Sequence, residues 1–124
     1  MRSASVTTYV APVPPADLRN YRVAMQTVIT RVVLREGDAH EWDDAMRERL
    51  AAARDRKGWL GGQLLKPEDA PNERVIVGTW ESREDWAAWH DDPAFRETRE
   101  RLDATHAERS EITWQEVLAD VRAP

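Results

Sequence analysis

The clearest change of hydrophobic period lies in the stretch Val75–Leu102. Val75, Val77 and Thr79 alternate with Ile76, Gly78 and Trp80, the pattern of a strand with both faces partly buried. The period then becomes helical. Ser82 has the character of an N-cap with Asp85 three residues on, and Trp86 and Trp89 share one face of the short helix that follows. Asp91-Asp92-Pro93 breaks that helix and starts another, with Asp92 as cap and Pro93 in the first helical position. The face of this next helix carries Phe95, Thr98, Arg99, Leu102 and His106. Upstream, Arg22–Leu34 reads as a long strand rich in Val, Ile and Thr. Met25, Thr27, Ile29, Arg31 and Val33 take one face, and Gln26, Val28, Thr30, Val32 and Leu34 the other. Its length predicts a bulge or bend.

Trp42, Ala45, Met46, Arg49, Leu50 and Ala53 recur at helical spacing, so a helix is expected from Asp38 or Ala39 to about Lys57, stopped by Gly58. Trp59–Lys66 follows as a strand, in which Gly61 and Gly62 predict a bulge or a close approach by another chain or ligand. The short polar turn Pro67–Glu73 makes this strand and the next an antiparallel hairpin. Ser110–Val121 begins as a strand, although Glu116–Val121 has helical propensity. The order is β-α-β-β-α-β, an α+β class with one antiparallel sheet and helices on one face. Apolar residues remain on the other face, so a cover is required. A second copy packed sheet to sheet supplies one, and a homodimer is expected, with Trp114 and the last strand at the shared surface.

Composition refines this picture. At 124 residues the chain suits a single domain, read as residues 21–124, preceded by an arm over residues 1–20 with prolines at 12, 14 and 15. In that arm Val6–Val10 has the pattern of a short edge strand. An apolar content of 41% is modest, and six tryptophans offset part of the deficit. The net charge of −5, with scattered basic residues, argues against nucleic-acid binding. The absence of cysteine removes disulfide and thiolate chemistry. The histidines at 40, 90 and 106 lack metal-ligand spacing, and Gly61-Gly62 opens a strand rather than a phosphate loop. No cofactor and no metal are therefore expected. No run approaches the roughly 18 apolar residues of a spanning helix, so a cytoplasmic protein without membrane contact is expected.

Gly58-Trp59-Leu60-Gly61-Gly62, Val77-Gly78-Thr79-Trp80-Glu81-Ser82, Trp86-Ala87-Ala88-Trp89 and Asp91-Asp92-Pro93-Ala94-Phe95-Arg96 together resemble the antibiotic biosynthesis monooxygenase-like family, within the dimeric α/β-barrel superfamily. The resemblance spans about residues 22–120. It implies a ferredoxin-like protomer that pairs through its sheet into a barrel, with a cavity between sheet and helices. Some members oxidise polycyclic aromatic compounds without metal or flavin, others bind and degrade haem, and many have no known reaction. For the haem-degrading branch, Trp89 matches the family's tryptophan, but Arg99 stands where that branch has its haem-ligating histidine and Thr30 where it has an asparagine. Arginine is not an axial haem ligand, which ranks that branch last.

Cofactor-free oxygenation needs an electron-rich substrate that reduces dioxygen after losing a proton, and a protein that positions it, favours its anion and excludes water. On that chemistry Arg99 is the candidate to meet a phenolate or peroxide charge, and His90 and His106 are candidates to move a proton. Trp80, Trp86, Trp89 and Phe95 are candidates to bind a flat small aromatic or apolar ligand, with Arg31 assigned to the pocket or the sheet interface. The reading is a cofactor-independent monooxygenase of an aromatic, hydroquinone-like or polyketide-like molecule. The rival is a non-catalytic dimer that binds a small ligand in the same cavity.

Overall fold

A computed structural model of the protein describes residues 25–104 and 107–124. The arm, its Val6–Val10 segment and His106 lie outside the described residues. The elements are β1 (Gln26–Leu34), α1 (Ala39–Ala53), β2 (Trp59–Leu65), β3 (Glu73–Trp80), α2 (Arg83–His90), α3 (Pro93–Ala104) and β4 (Ala107–Glu116). The four strands form one antiparallel sheet in the order β2-β3-β1-β4, the ferredoxin-like arrangement with helices on one face. β4 is a strand only through Glu116; residues 117–121, expected as strand or helix, form neither, and the pairing ends with the Val117 amide donating to the Met25 carbonyl at 3.1 Å.

Register decides which residues meet the helices. Val28 lies opposite Gly78 and Trp114, and Thr30 opposite Ile76 and Ile112. These positions share the helix-facing side with the buried Val32 and Leu34. Trp114 therefore stands on the helix side, where its ring meets Trp86 at 5.0 Å. This corrects its expected place on the opposite face, while Thr113 and Gln115 of the same strand do lie there, opposite Ile29 and Thr27. Thr27 and Thr79 join side chains across that face at 2.8 Å.

The expected irregularities also have structural causes. The β1–β4 register shifts between Val33 and Leu34, and the β2–β3 register shifts between Trp59 and Gly61. The helix α1 stops at Ala53, earlier than its periodicity suggests, because its end tightens into i→i−3 bonds from Arg54 to Ala51 and from Arg56 to Ala53. Gly58 follows with φ +84°, and a Cβ there would run into the Asp85 carboxylate. Ser82 caps α2 by accepting from the Asp85 amide at 3.1 Å, and Asp92 caps α3 by accepting from the Ala94 amide at 2.8 Å.

The core has two parts. Val32, Leu34, Trp42, Ala45, Met46 and Leu102 form one buried cluster. Val28, Ala53, Trp80, Trp89 and Phe95 form the other. The first is stitched by a buried ion pair: Arg74 Nε and Nη2 donate to the two oxygens of Asp43 at 2.8 and 3.0 Å, tying β3 to α1. The second borders a cavity.

Candidate active site

The cavity of about 170 Å³ lies between the helix-facing side of the sheet and all three helices. Its wall is mostly apolar and rich in rings, because several elements each contribute one or two: Trp59, Trp80, Trp86, Trp89 and Phe95. β3 ends on Trp80, 2% exposed, whose ring meets that of Trp59 edge-on at 5.2 Å. The Trp59 indole passes over Gly62 and Gly78, and at Gly62 only glycine leaves room for it. A Cβ at Gly62 would stand 2.5 Å from Cη2 of Trp59 and 2.7 Å from the Val77 carbonyl, whereas one at Gly78 would make ordinary contacts of 3.5–3.7 Å. The close approach expected at Gly61-Gly62 is thus made by the chain's own indole.

The break between α2 and α3 sets the opposite wall. Arg56 Nη2 donates to Asp92 Oδ1 at 3.3 Å, its Nε stands 3.0 Å from Oδ2 as an ion pair without a hydrogen bond, and Asp92 also caps α3. This fixes the corner that carries Trp86, Trp89 and His90 on one side and Phe95 on the other. The His90 ring lies between Trp86, at 3.8 Å, and Phe95, at 4.1 Å. Phe95 in turn meets Trp89 edge-on at 5.5 Å.

His90 Nδ1 is 2.8 Å from the Trp86 carbonyl. A carbonyl only accepts, so Nδ1 carries the proton and Nε2 of the neutral ring is left with its lone pair. Burial lowers the pKa of His90 below its ordinary 6.5; the bond to Trp86 opposes this, and the charges of Arg49 and Arg99 add to the lowering. The imidazole is therefore neutral at pH 7 and able to accept a proton.

The second polar group at the wall is Arg49, from the apolar stripe of α1. Its guanidinium carbon stands 3.7 Å from the centre of the Phe95 ring, and its Nε donates to Thr98 Oγ1 at 2.9 Å. Thr98 is itself buried and donates to the Phe95 carbonyl at 2.8 Å. Burial lowers the pKa of Arg49 to about 10, helped by the charge of Arg99 and opposed by Asp103; it remains a cation at neutral pH. Thr30 is the third polar residue of the lining. Ile112, 53% exposed, lies where the cavity meets solvent.

The candidates named from sequence separate on this geometry. Trp80, Trp86, Trp89, His90 and Phe95 converge on the cavity. Arg99 does not line it: it is exposed, 5.3 Å from the Phe95 ring, because the buried face of α3 runs through Phe95, Thr98 and Leu102. Arg31 lies on the far side of the sheet, largely exposed, and pairs with Glu73 at 3.1 Å. Arg49 had been visible only as one member of a helical stripe. Among the described residues no group of three or more His, Asp or Glu side chains is placed to hold a metal ion. No helix among them is long and apolar enough to cross a membrane.

The profile of the antibiotic biosynthesis monooxygenase family matches residues 25–101, more than half of the chain. None of the curated proteins matches it. Solved structures share the fold at low identity. A candidate antibiotic biosynthesis monooxygenase from Nitrosomonas europaea is 18% identical with a TM-score of 0.72, over 76% of this chain and 90% of that one. Rv0793 from Mycobacterium tuberculosis is 16% identical with a TM-score of 0.70, over 79% and 99%. A variant of SnoaB, a cofactor-independent oxygenase from Streptomyces nogalater, is 17% identical with a TM-score of 0.68, over 80% and 98%.

Proposed function

Because the chain belongs to the antibiotic biosynthesis monooxygenase family, we propose that it is a cofactor-independent monooxygenase of a small aromatic, hydroquinone-like or polyketide-like molecule. The observation that carries this reading is His90, held neutral with Nε2 unprotonated, in the wall of an aromatic cavity. A cavity lined by hydrocarbon alone would suit a binding protein. A base and a cation in an apolar wall suit proton removal and stabilisation of the resulting anion.

The reaction has a simple balance. Nε2 of His90 takes the proton of a phenol, and the phenolate passes one electron to dioxygen. The radical pair joins to form a C–O bond at a ring carbon, ortho or para to that oxygen, that carries a hydrogen. Loss of that carbon's hydrogen as a proton and cleavage of the O–O bond leave a quinone carbonyl and release water. The substrate supplies all the electrons, so the protein's tasks are positioning, proton removal and exclusion of bulk water. Trp80, Trp86, Trp89 and Phe95 hold the ring, Arg49 faces the developing charge, and Arg99 adds positive potential from outside the cavity. We further propose that the protomer works as a homodimer joined through the sheet face bearing Thr27, Ile29 and Arg31.

Oxygen uptake in chelated, cofactor-free buffer with a panel of hydroquinones and anthrols tests this. Product should scale with protein, and His90→Gln should lower kcat by about a hundredfold or more, the usual worth of a general base. Ligands that bind tightly with no oxygen consumed would favour the non-catalytic binding reading.

A further inference from the structure

Arg49 differs from the other arginines drawn into this fold. Arg74 is buried against Asp43 with two short bonds, and Arg56 is paired with Asp92. Arg49 is just as fixed, but by neutral partners. Thr98 Oγ1 takes its Nε, the Phe95 carbonyl lies 3.5 Å from Nη2, and the Phe95 ring covers one face of the guanidinium. Among the described residues no carboxylate lies within ion-pair distance of it, and Nη1 has no partner. A cation taken partly out of water is costly to leave without a counter-ion, so such groups are ordinarily paired. Here the missing charge falls at the wall of the cavity.

Size constrains the ligand as well. An apolar cavity of about 150 Å³ takes up one benzene ring; this one is about 170 Å³ and opens to solvent beside Ile112, so one ring fits within its walls and substituents can extend only through that mouth. We infer that the cavity takes a single-ring aromatic bearing an anionic oxygen group, carboxylate or ionised phenol, with that group on Arg49 and the ring among Trp80, Trp89 and Phe95. This rests on reading the cavity as the substrate site and narrows the substrate class within it. The planar guanidinium suits a carboxylate through two N–H groups and a phenolate through one. Thr98 acts as a positioning residue, since it holds Nε and thereby sets the tilt of the fork.

The test is binding without turnover. Indole N–H resonances of the unsubstituted protein are followed by NMR under nitrogen, with benzoate against benzamide and 4-nitrophenolate against 4-nitroanisole. Each pair keeps the ring and changes the charge. The anion of at least one pair should bind about tenfold or more tightly than its neutral counterpart, the ordinary worth of a hydrogen bond to a charged group. A preference confined to benzoate identifies a carboxylate ligand, and one confined to nitrophenolate identifies an ionised phenol; either upholds the inference. Arg49→Met should abolish the preference and Arg49→Lys should retain part of it. Equal affinity within both pairs, no shifts with any of the four, or a preference that survives Arg49→Met overturns it. Oxygen is absent, so a protein that selects the anion but never consumes oxygen retains this inference and loses the oxygenase reading. One that oxidises hydroquinones without selecting anions does the reverse.

Discussion

At one end of the helix-facing layer, Leu34, Trp42 and Met46 close on one another beside an arginine saturated by Asp43 and two backbone carbonyls. At the other end, Trp80, Trp89 and Phe95 leave a gap beside an arginine held, among the described residues, by a threonine, a carbonyl and a ring face. The same sheet and the same helix α1 build both ends. What differs is whether the cation is neutralised within the fold. A neutralised cation fastens two elements together; one with only neutral partners has its electrostatic requirement unmet until a ligand arrives. The contrast separates a stabilising region from a binding region using one residue type.

That contrast breaks first at Asp43. Asp43→Ala leaves Arg74, 4% exposed, without its counter-charge, and should lower the unfolding free energy by about 3 kcal/mol. Urea denaturation would show it as a fall in midpoint. Arg49→Met should change stability by less than about 1 kcal/mol, because no ion pair is lost and the Thr98 hydroxyl keeps its bond to Phe95. If the two substitutions cost the same, the distinction between the ends fails.

The pH response sharpens the comparison from the cavity side. The folded pKa of His90 lies below 6.5, chiefly through burial. At pH below 6.5 the unfolded chain binds this proton more readily than the folded one, so stability should fall as pH drops from 6.5 through the folded value. His90→Gln should flatten that part of the profile. Oxygenase rate should fall over the same acid range as Nε2 becomes protonated. An acid-side fall in rate that His90→Gln leaves unchanged would remove His90 from the proton-transfer role.

Assembly gives a further check: sedimentation at micromolar concentration should show a dimer, and a stable 14.3 kDa monomer would sink the pairing. The smallest expected effect is at Gly78. A methyl group there meets only ordinary contacts, so Gly78→Ala should alter stability by no more than about 1 kcal/mol. It should weaken para-substituted ligands more than unsubstituted ones. Uniform weakening across such a series would mean that the cavity floor does not limit ligand size.

Much of this fold can be read along the chain because its signals are local. Ser82 and Asp92 cap helices through atoms two or three residues away, and the change from strand to helix period after Trp80 marks the boundary. The aromatic wall is legible for the same reason, since Trp80, Trp86, Trp89, His90 and Phe95 all come from one short stretch. Arg49 was not legible as a wall residue. Whether an arginine at the edge of an apolar stripe turns inward depends on what receives it, here Phe95 and Thr98 from α3. Arg99, four residues past Phe95, has the better sequence spacing, but the packing of α3 turns Thr98 inward and leaves Arg99 outside. Trp114 shows the same limit in a strand. With apolar residues on both sides, parity alone does not select a face, and pairing of Val28 with Trp114 does.

The indole of Trp59, laid over Gly62, has a consequence for how this sequence can drift. Alanine at 62 meets the ring at 2.5 Å and the Val77 carbonyl at 2.7 Å, so it is unfavourable while tryptophan stands at 59. A smaller residue at 59 removes the ring half of that conflict, but leaves a void beside Trp80. Each change alone is harmful, and each alters the cost of the other, which is the signature of a non-additive pair. Glycine at 62 should therefore be kept even where position 59 shrinks, because the Val77 carbonyl still excludes a Cβ.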